Sequence, residues 1–133
     1  MKLIVYTDGG SRGNPGPAGC GAVVLNEQGE ELAAISKYVG RQTNNYAEYT
    51  AAILGLQKAL SFKPESVEMR GDSELLVKQL NGVYRVKNAN IKPLFAQLTD
   101  LIPKDVEVKF VHVRREYNQR ADSLANQAMD RGR

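Results

Sequence analysis

Tryptophan is absent, and histidine and cysteine occur once each, as His112 and Cys20. One cysteine excludes an internal disulfide and any multi-cysteine metal site; within an apolar stretch it reads as a small buried hydrophobe. A reducing compartment, the cytoplasm, is therefore expected. No stretch approaches the ~18 apolar residues of a membrane span, and the run after Lys2 is too short for a signal h-region. No membrane partner and no leader is expected. Excess charge is small: 18 lysines and arginines against 15 acids leave +3, compatible with nothing beyond solubility. Repeats, linkers and low-complexity segments are missing too. The 133 residues fit one domain, 1–133, and a chain near this size hides roughly two thirds of its extended surface. A monomer is expected.

What the chain does have is glycine in an unusual place. The β-forming run Leu3-Ile4-Val5-Tyr6 delivers Asp8 to its end, and Gly9, Gly10, Gly13, Gly16 and Gly19 follow with Pro15 and Pro17. Asp-Gly suits a hairpin turn. This connection is far longer than two residues, and so much glycine implies a backbone that must approach something closely.

The remaining elements follow from periodicity. Ala18 to Asn26 and Glu31 to Val39 flank the polar turn 27–30, so the first three strands form an antiparallel meander. Over Asn44 to Leu60 the period becomes helical, with Tyr49, Ile53, Leu56 and Leu60 on one track. Beside it, Glu48, Ala52, Gly55 and Ala59 form a small-residue track that lets the helix lie close to a sheet. Ser66 to Gly71 reads as a fourth strand and Asp72 to Leu80 as a short helix with Leu75, Leu76 and Leu80 inward. Asn90 to Ile102 is a further helix, Val106 to Val113 a fifth strand, and Asn118 to Met129 a last helix with Ala121, Leu124, Ala125 and Ala128 inward. This order gives a three-layer α/β domain: a five-stranded mixed sheet, strands one to three antiparallel, four and five parallel to one, with helices on both faces.

In that topology Asp8 ends strand one, Glu48 begins the long helix, Asp72 ends strand four and Asp122 begins the last helix. Ligands of open α/β sheets gather at the carboxyl ends of parallel strands. Each acid also fits a local role. Asn45-x-x-Glu48 matches a capping box, Asp72 a helix N-cap, and Asp122 a first-turn charge that offsets the helix dipole. Unrelated caps need not converge, however, and carboxylates that do converge either stay protonated or are held together by cations. An all-oxygen set favours Mg²⁺ or Mn²⁺. Two such ions about 4 Å apart suit in-line phosphoryl displacement, the chemistry of a nuclease.

The set Tyr6-Thr7-Asp8-Gly9-Gly10-Ser11-Arg12-Gly13-Asn14-Pro15-Gly16-Pro17-Ala18-Gly19, Thr43-Asn44-Asn45-Tyr46-Ala47-Glu48, Gly71-Asp72-Ser73 and Asn118-Gln119-Arg120-Ala121-Asp122 closely resembles type 1 ribonuclease H, in order and spacing, over essentially the whole chain. The resemblance implies the five-stranded ribonuclease H-like fold and endonucleolytic cleavage of the RNA strand of an RNA–DNA hybrid, leaving 5′-phosphate and 3′-hydroxyl ends. It implies that Asp8, Glu48, Asp72 and Asp122 hold two Mg²⁺ or Mn²⁺ ions. Gly13, Asn14, Asn44 and Asn45 match positions that contact RNA in the minor groove, where 2′-hydroxyls mark RNA. Gly9, Gly10 and Ser11 belong to the same wall. Arg41 and Thr43 match a pocket for a phosphate of the DNA strand, and Glu74 stands where many relatives carry a glutamine that touches RNA.

Two departures stand out. Well-known bacterial members have a histidine in a flexible loop before the last aspartate; here His112 falls within a strand, where a packed or half-buried imidazole is expected. In Val113-Arg114-Arg115-Glu116-Tyr117-Asn118 the resemblance puts Arg115 at the histidine's place. An arginine cannot shuttle protons at neutral pH, so it is expected to hold a phosphate or stabilise developing charge, with a surface arginine paired to Glu116 as the alternative. The basic protrusion of many members is reduced to 81–90, where Tyr84, Arg85 and Lys87, with Lys92 beyond, remain for DNA phosphates. Three other readings stay open: a non-catalytic hybrid-binding module, another nuclease on this fold, and a substrate range that extends to double-stranded RNA.

Overall fold

A computed structural model describes residues 1–132. Its sheet has the order β3-β2-β1-β4-β5, with β1 Lys2–Ser11, β2 Gly16–Leu25, β3 Glu31–Gln42, β4 Ser66–Gly71 and β5 Glu107–His112. The first three strands pair antiparallel. β4 pairs parallel with β1, and β5 with β4, as the βα crossovers require. The helices are α1 Asn44–Leu60, α2 Glu74–Leu80, α3 Lys92–Asp100 and α4 Gln119–Arg131, with a 3-10 turn at Arg115–Tyr117.

The alternation of strand residues decides which helix each face meets. Leu3 and Val5 of β1 and Val67 and Met69 of β4 face α1, where they meet Tyr49, Ile53 and Leu56 in the main core. Leu98 of α3 and Leu76 and Val77 of α2 close this core. Each such side chain taken fully out of water contributes roughly 1.5–3 kcal/mol. Gly55 fulfils its expected part, since a Cβ there would lie 2.9 Å from Val5 Cγ1 and Thr7 Cγ2. On the opposite face α4 packs on β2 and β3 through Ala121, Leu124, Ala125 and Ala128, all buried as expected. Ser36 donates to the Leu124 carbonyl at 2.6 Å and fastens that helix to β3. Cys20 is buried toward α1, with its thiol 3.2 Å from the Ala47 carbonyl and pushed up to about 12 by that burial.

Several expectations change. β1 does not end at Asp8. It runs on to Ser11, with Gly9 opposite Cys20 and Gly10 opposite Gly19, so the irregular glycine segment shrinks to 12–15. The ladder to β4 stops at Thr7↔Gly71, however, and Asp8 still sits at the carboxyl end of the parallel pairing. α2 starts two residues later than expected, and its buried side is Leu76 and Val77, with Leu75 exposed. His112 is exposed, not half-buried, because the inward track of β5 has passed the core edge at Phe110. Among the described residues no helix is long and apolar enough to cross a membrane.

Candidate active site

α1 is N-capped by Thr43, whose hydroxyl accepts from the Tyr46 amide at 3.2 Å. Asn45 is therefore inside the helix, the expected capping box does not form, and Glu48 is free of it. Likewise the N-cap of α2 is Ser73, which accepts from the Leu76 amide, and not Asp72. The neighbouring hydroxyls take the capping work and leave the two acids to point elsewhere.

They point at Asp8. One carboxylate oxygen each from Asp8, Glu48 and Asp72 fall within 4.8 Å of one another. Asp122, on the first turn of α4, faces the same cavity, where its charge adds to the crowding at Asp8. These acids line a cavity of about 330 Å³ with Gly9, Gly10, Asn44, Arg115, Ala125 and Met129. Its electrostatics follow from crowding like charges away from water. Burial first, then the charges of Asp72 and Asp122, push Asp8 up to about 8. Burial also pushes Glu48 up to about 7, with Asp72 adding to the rise while a hydrogen bond from Ser73 opposes it. Ser73 thus caps the helix after Asp72 and lines the same small cavity as Glu48. Sequence reasoning gave it no role, although its place beside Asp72 at a helix start was the available signal.

Arg115 reaches the rim of the cavity from the 3-10 turn. The alternative partner, Glu116, lies instead 3.5 Å from Arg114. The expected RNA-contacting wall is tied together by its own polar groups. The Asn44 side chain accepts from the Ser11 amide at 2.8 Å and from its hydroxyl at 3.2 Å. Asn14 accepts from the Asn44 amide at 3.0 Å. Segment 12–15, which holds Gly13, is thereby latched to the start of α1. Asn45, Arg41 and Thr43 are exposed nearby along the β3–α1 junction. Glu74 is not brought to the cavity; it pairs with Lys78 at 2.6 Å on the outside of α2.

The donor set fits a hard divalent cation: clustered carboxylate oxygens, no sulfur or imidazole, and two acids whose protons a cation would displace. The sequence profile of a family described as reverse transcriptase-like matches residues 6–128. Ribonuclease H of Clostridium botulinum is 34% identical over 97% of this chain and 96% of its own length. The chain belongs to the ribonuclease H family. Ribonuclease HI of Halobacterium salinarum is 41% identical over 97% of the chain, which spans 65% of that protein; the chain spans 36% of each mycobacterial relative it matches. Among solved structures, LC11-RNase H1 in complex with an RNA/DNA hybrid superposes with a TM-score of 0.92 at 46% identity, covering 97% of each chain. The sheet order and helix placement are those of the ribonuclease H fold.

Proposed function

We propose that this ribonuclease H-family chain is a divalent-metal-dependent endonuclease that hydrolyses the RNA strand of RNA–DNA hybrids to 5′-phosphate and 3′-hydroxyl products. Residues 1–133 act as one domain and as a monomer, in the cytoplasm. The observation that carries this reading is the convergence of Asp8, Glu48 and Asp72 at the carboxyl end of the parallel strands. A hybrid bound to a similar structure supports the substrate class.

Asp8, Glu48, Asp72 and Asp122 would hold two Mg²⁺ or Mn²⁺ ions, whose chemistry is to activate water and stabilise the leaving 3′-oxygen. Asp8 and Glu48 release the protons that burial otherwise keeps on them. Ser73 takes the capping of α2 and leaves Asp72 free for the cavity. The Asn44–Ser11–Asn14 latch presents Gly13, Asn14, Asn44 and Asn45, with Gly9 and Gly10 behind them, to the sugar edge of the RNA strand. Arg41 and Thr43 grip a phosphate of the DNA strand. Arg115, always charged, steadies negative charge at the scissile phosphate.

Labelled RNA–DNA, RNA–RNA, DNA–DNA and single strands, each incubated with Mg²⁺ and Mn²⁺ separately, test this. Hybrid RNA should be cut internally, with no cleavage when divalent ions are chelated. An intact hybrid, or DNA cut as fast, would overturn the assignment. RNA–RNA cleavage within about tenfold of the hybrid rate would extend the class to double-stranded RNA, since a groove that reads 2′-hydroxyls accepts them on a second strand. Arg115→Ala should lower kcat by about 10–100-fold, the scale of one lost charge-stabilising group. Arg115→Lys should recover part of it, because lysine keeps the charge and loses the fork. A kcat unchanged in Arg115→Ala would remove the residue from the mechanism.

A further inference from the structure

Asn118 is 1% exposed, one of two buried polar or charged residues among those described. It stands at the N-cap of α4 and is of the type that caps helices best, yet its side chain makes no capping bond. The amide instead turns into the sheet, where Nδ2 donates to the Thr7 carbonyl at 2.9 Å across 111 residues of sequence. Its Oδ1 is buried with no partner among the described residues. Both choices cost stability: the cap is forfeited, and a buried acceptor goes unmet. Local rules broken in this way are expected where function has claimed the residue.

The backbone of Asn118 shows what the sacrifice obtains. Its amide donates to the Arg115 carbonyl at 2.9 Å, and its carbonyl accepts from the Asp122 amide at 3.1 Å. Thr7, held by the side chain, precedes Asp8 and is the last residue of β1 paired with β4. One residue therefore binds the segment that carries Arg115, the turn that carries Asp122 and the strand that carries Asp8.

We propose that Asn118 is a positioning residue that sets Arg115 and Asp122 in register with Asp8; this rests on the functional reading above. Loss of the Nδ2–H donor frees the 3-10 turn and the first turn of α4 to shift away from β1, and small misplacements at a reacting centre lower kcat more than binding. The hybrid-contacting groups on segments 9–14 and 41–45 do not depend on that bond.

The test uses Asn118→Leu, which keeps volume and removes the donor, with melting temperature recorded alongside. Against wild type, kcat on a labelled hybrid should fall about 30-fold while KM, and Kd for the hybrid measured by anisotropy in chelator, stay within about threefold. Calorimetric Mn²⁺ titration should show binding weakened about fivefold or more. In an Asp122→Asn background the kcat effect of Asn118→Leu should shrink to under about threefold, because a residue acting through Asp122 has less left to position. A kcat within threefold of wild type, or an equal loss in both backgrounds, overturns the proposal. If Asn118→Leu does not fold, the same measurements on Asn118→Asp decide. If the wild type itself leaves the hybrid intact, the functional reading fails separately, and Mn²⁺ affinity unchanged in the folded variant then overturns the positioning role.

Discussion

Asp8→Asn should abolish hybrid cleavage, by roughly 10³-fold or more, and at the same time raise the melting temperature of the metal-free protein at pH 8. The two effects have one origin. Asp8 is crowded by Asp72, Asp122 and Glu48 in a place largely removed from water, and its folded-state affinity for a proton is raised from the ordinary 3.8 to about 8. A group whose folded value lies above its unfolded value contributes stability below the unfolded value, near pH 4, and loses it as pH rises through about 8. Each tenfold change in proton affinity is worth about 1.36 kcal/mol, so the ionised cluster strains the metal-free fold by an amount on the order of a few kcal/mol, shared among its acids. Asparagine has nearly the shape of the neutral acid and cannot ionise. The variant should therefore melt about 5–10 °C above wild type at pH 8, with the gap closing toward pH 4. Added Mg²⁺ should narrow the gap at pH 8 by stabilising only the wild type. Melting curves from pH 4 to pH 9 with and without Mg²⁺, beside a cleavage assay, check all of this. A gap that does not vary with pH would sink the electrostatic account, and retained cleavage would sink the catalytic one.

The acids that make this prediction were legible because Asp8 and Asp72 directly follow the last residues of the parallel β1–β4 pairing while Glu48 and Asp122 lie near the starts of helices, and such positions at one end of a parallel sheet converge by topology. The order of elements was legible for a similar reason: the changes of period at Asn44, Ser66 and Asn118 are sharp. What sequence spacing did not resolve was the division of labour between adjacent residues of similar chemistry. Thr43, Asn44 and Asn45 are all cap formers, and so are Asp72 and Ser73; the backbone angles at Thr43 and Ser73 decide, and those are set by the strands that lead in. Adjacent apolar residues in a short helix left the same ambiguity: of Leu75, Leu76 and Val77, the packing takes Leu76 and Val77. Asn118 was visible as a helix start, but a bond to Thr7 across 111 residues leaves no local trace.

For glycine, sequence reasoning inferred a close approach and left the neighbour open. A backbone that must approach something closely was inferred for the stretch after Asp8. In the structure Gly9 is packed against α1 itself: a Cβ there would lie 2.3 Å from the Ala47 carbonyl carbon, 2.4 Å from its oxygen and 2.5 Å from the Glu48 amide nitrogen. Across the sheet, a Cβ on Gly21 would lie 2.1 Å from the Ala121 carbonyl of α4. The strand that carries Asp8 and its neighbour β2 are thus clamped between the helices that carry Glu48 and Asp122, and the clamp closes only because no side chain intervenes. Gly9→Ala should push α1 off β1, since all three obstructing atoms are backbone and none can rotate away. Overpacking of this kind costs about 3 kcal/mol or more, which lowers the melting temperature by about 10 °C. Because the displaced backbone is that of Ala47 and Glu48, the surviving fold should also lose kcat by about 100-fold and bind Mn²⁺ more weakly, with Glu48 moved away from Asp8. Gly10→Ala is the matched control. A Cβ there meets only Met129 Cε at 3.6 Å and Asn44 Oδ1 at 4.0 Å, so it should fold as wild type does. Equal melting temperatures for the Gly9 and Gly10 variants would mean that the clamp does not set the distance between the acids.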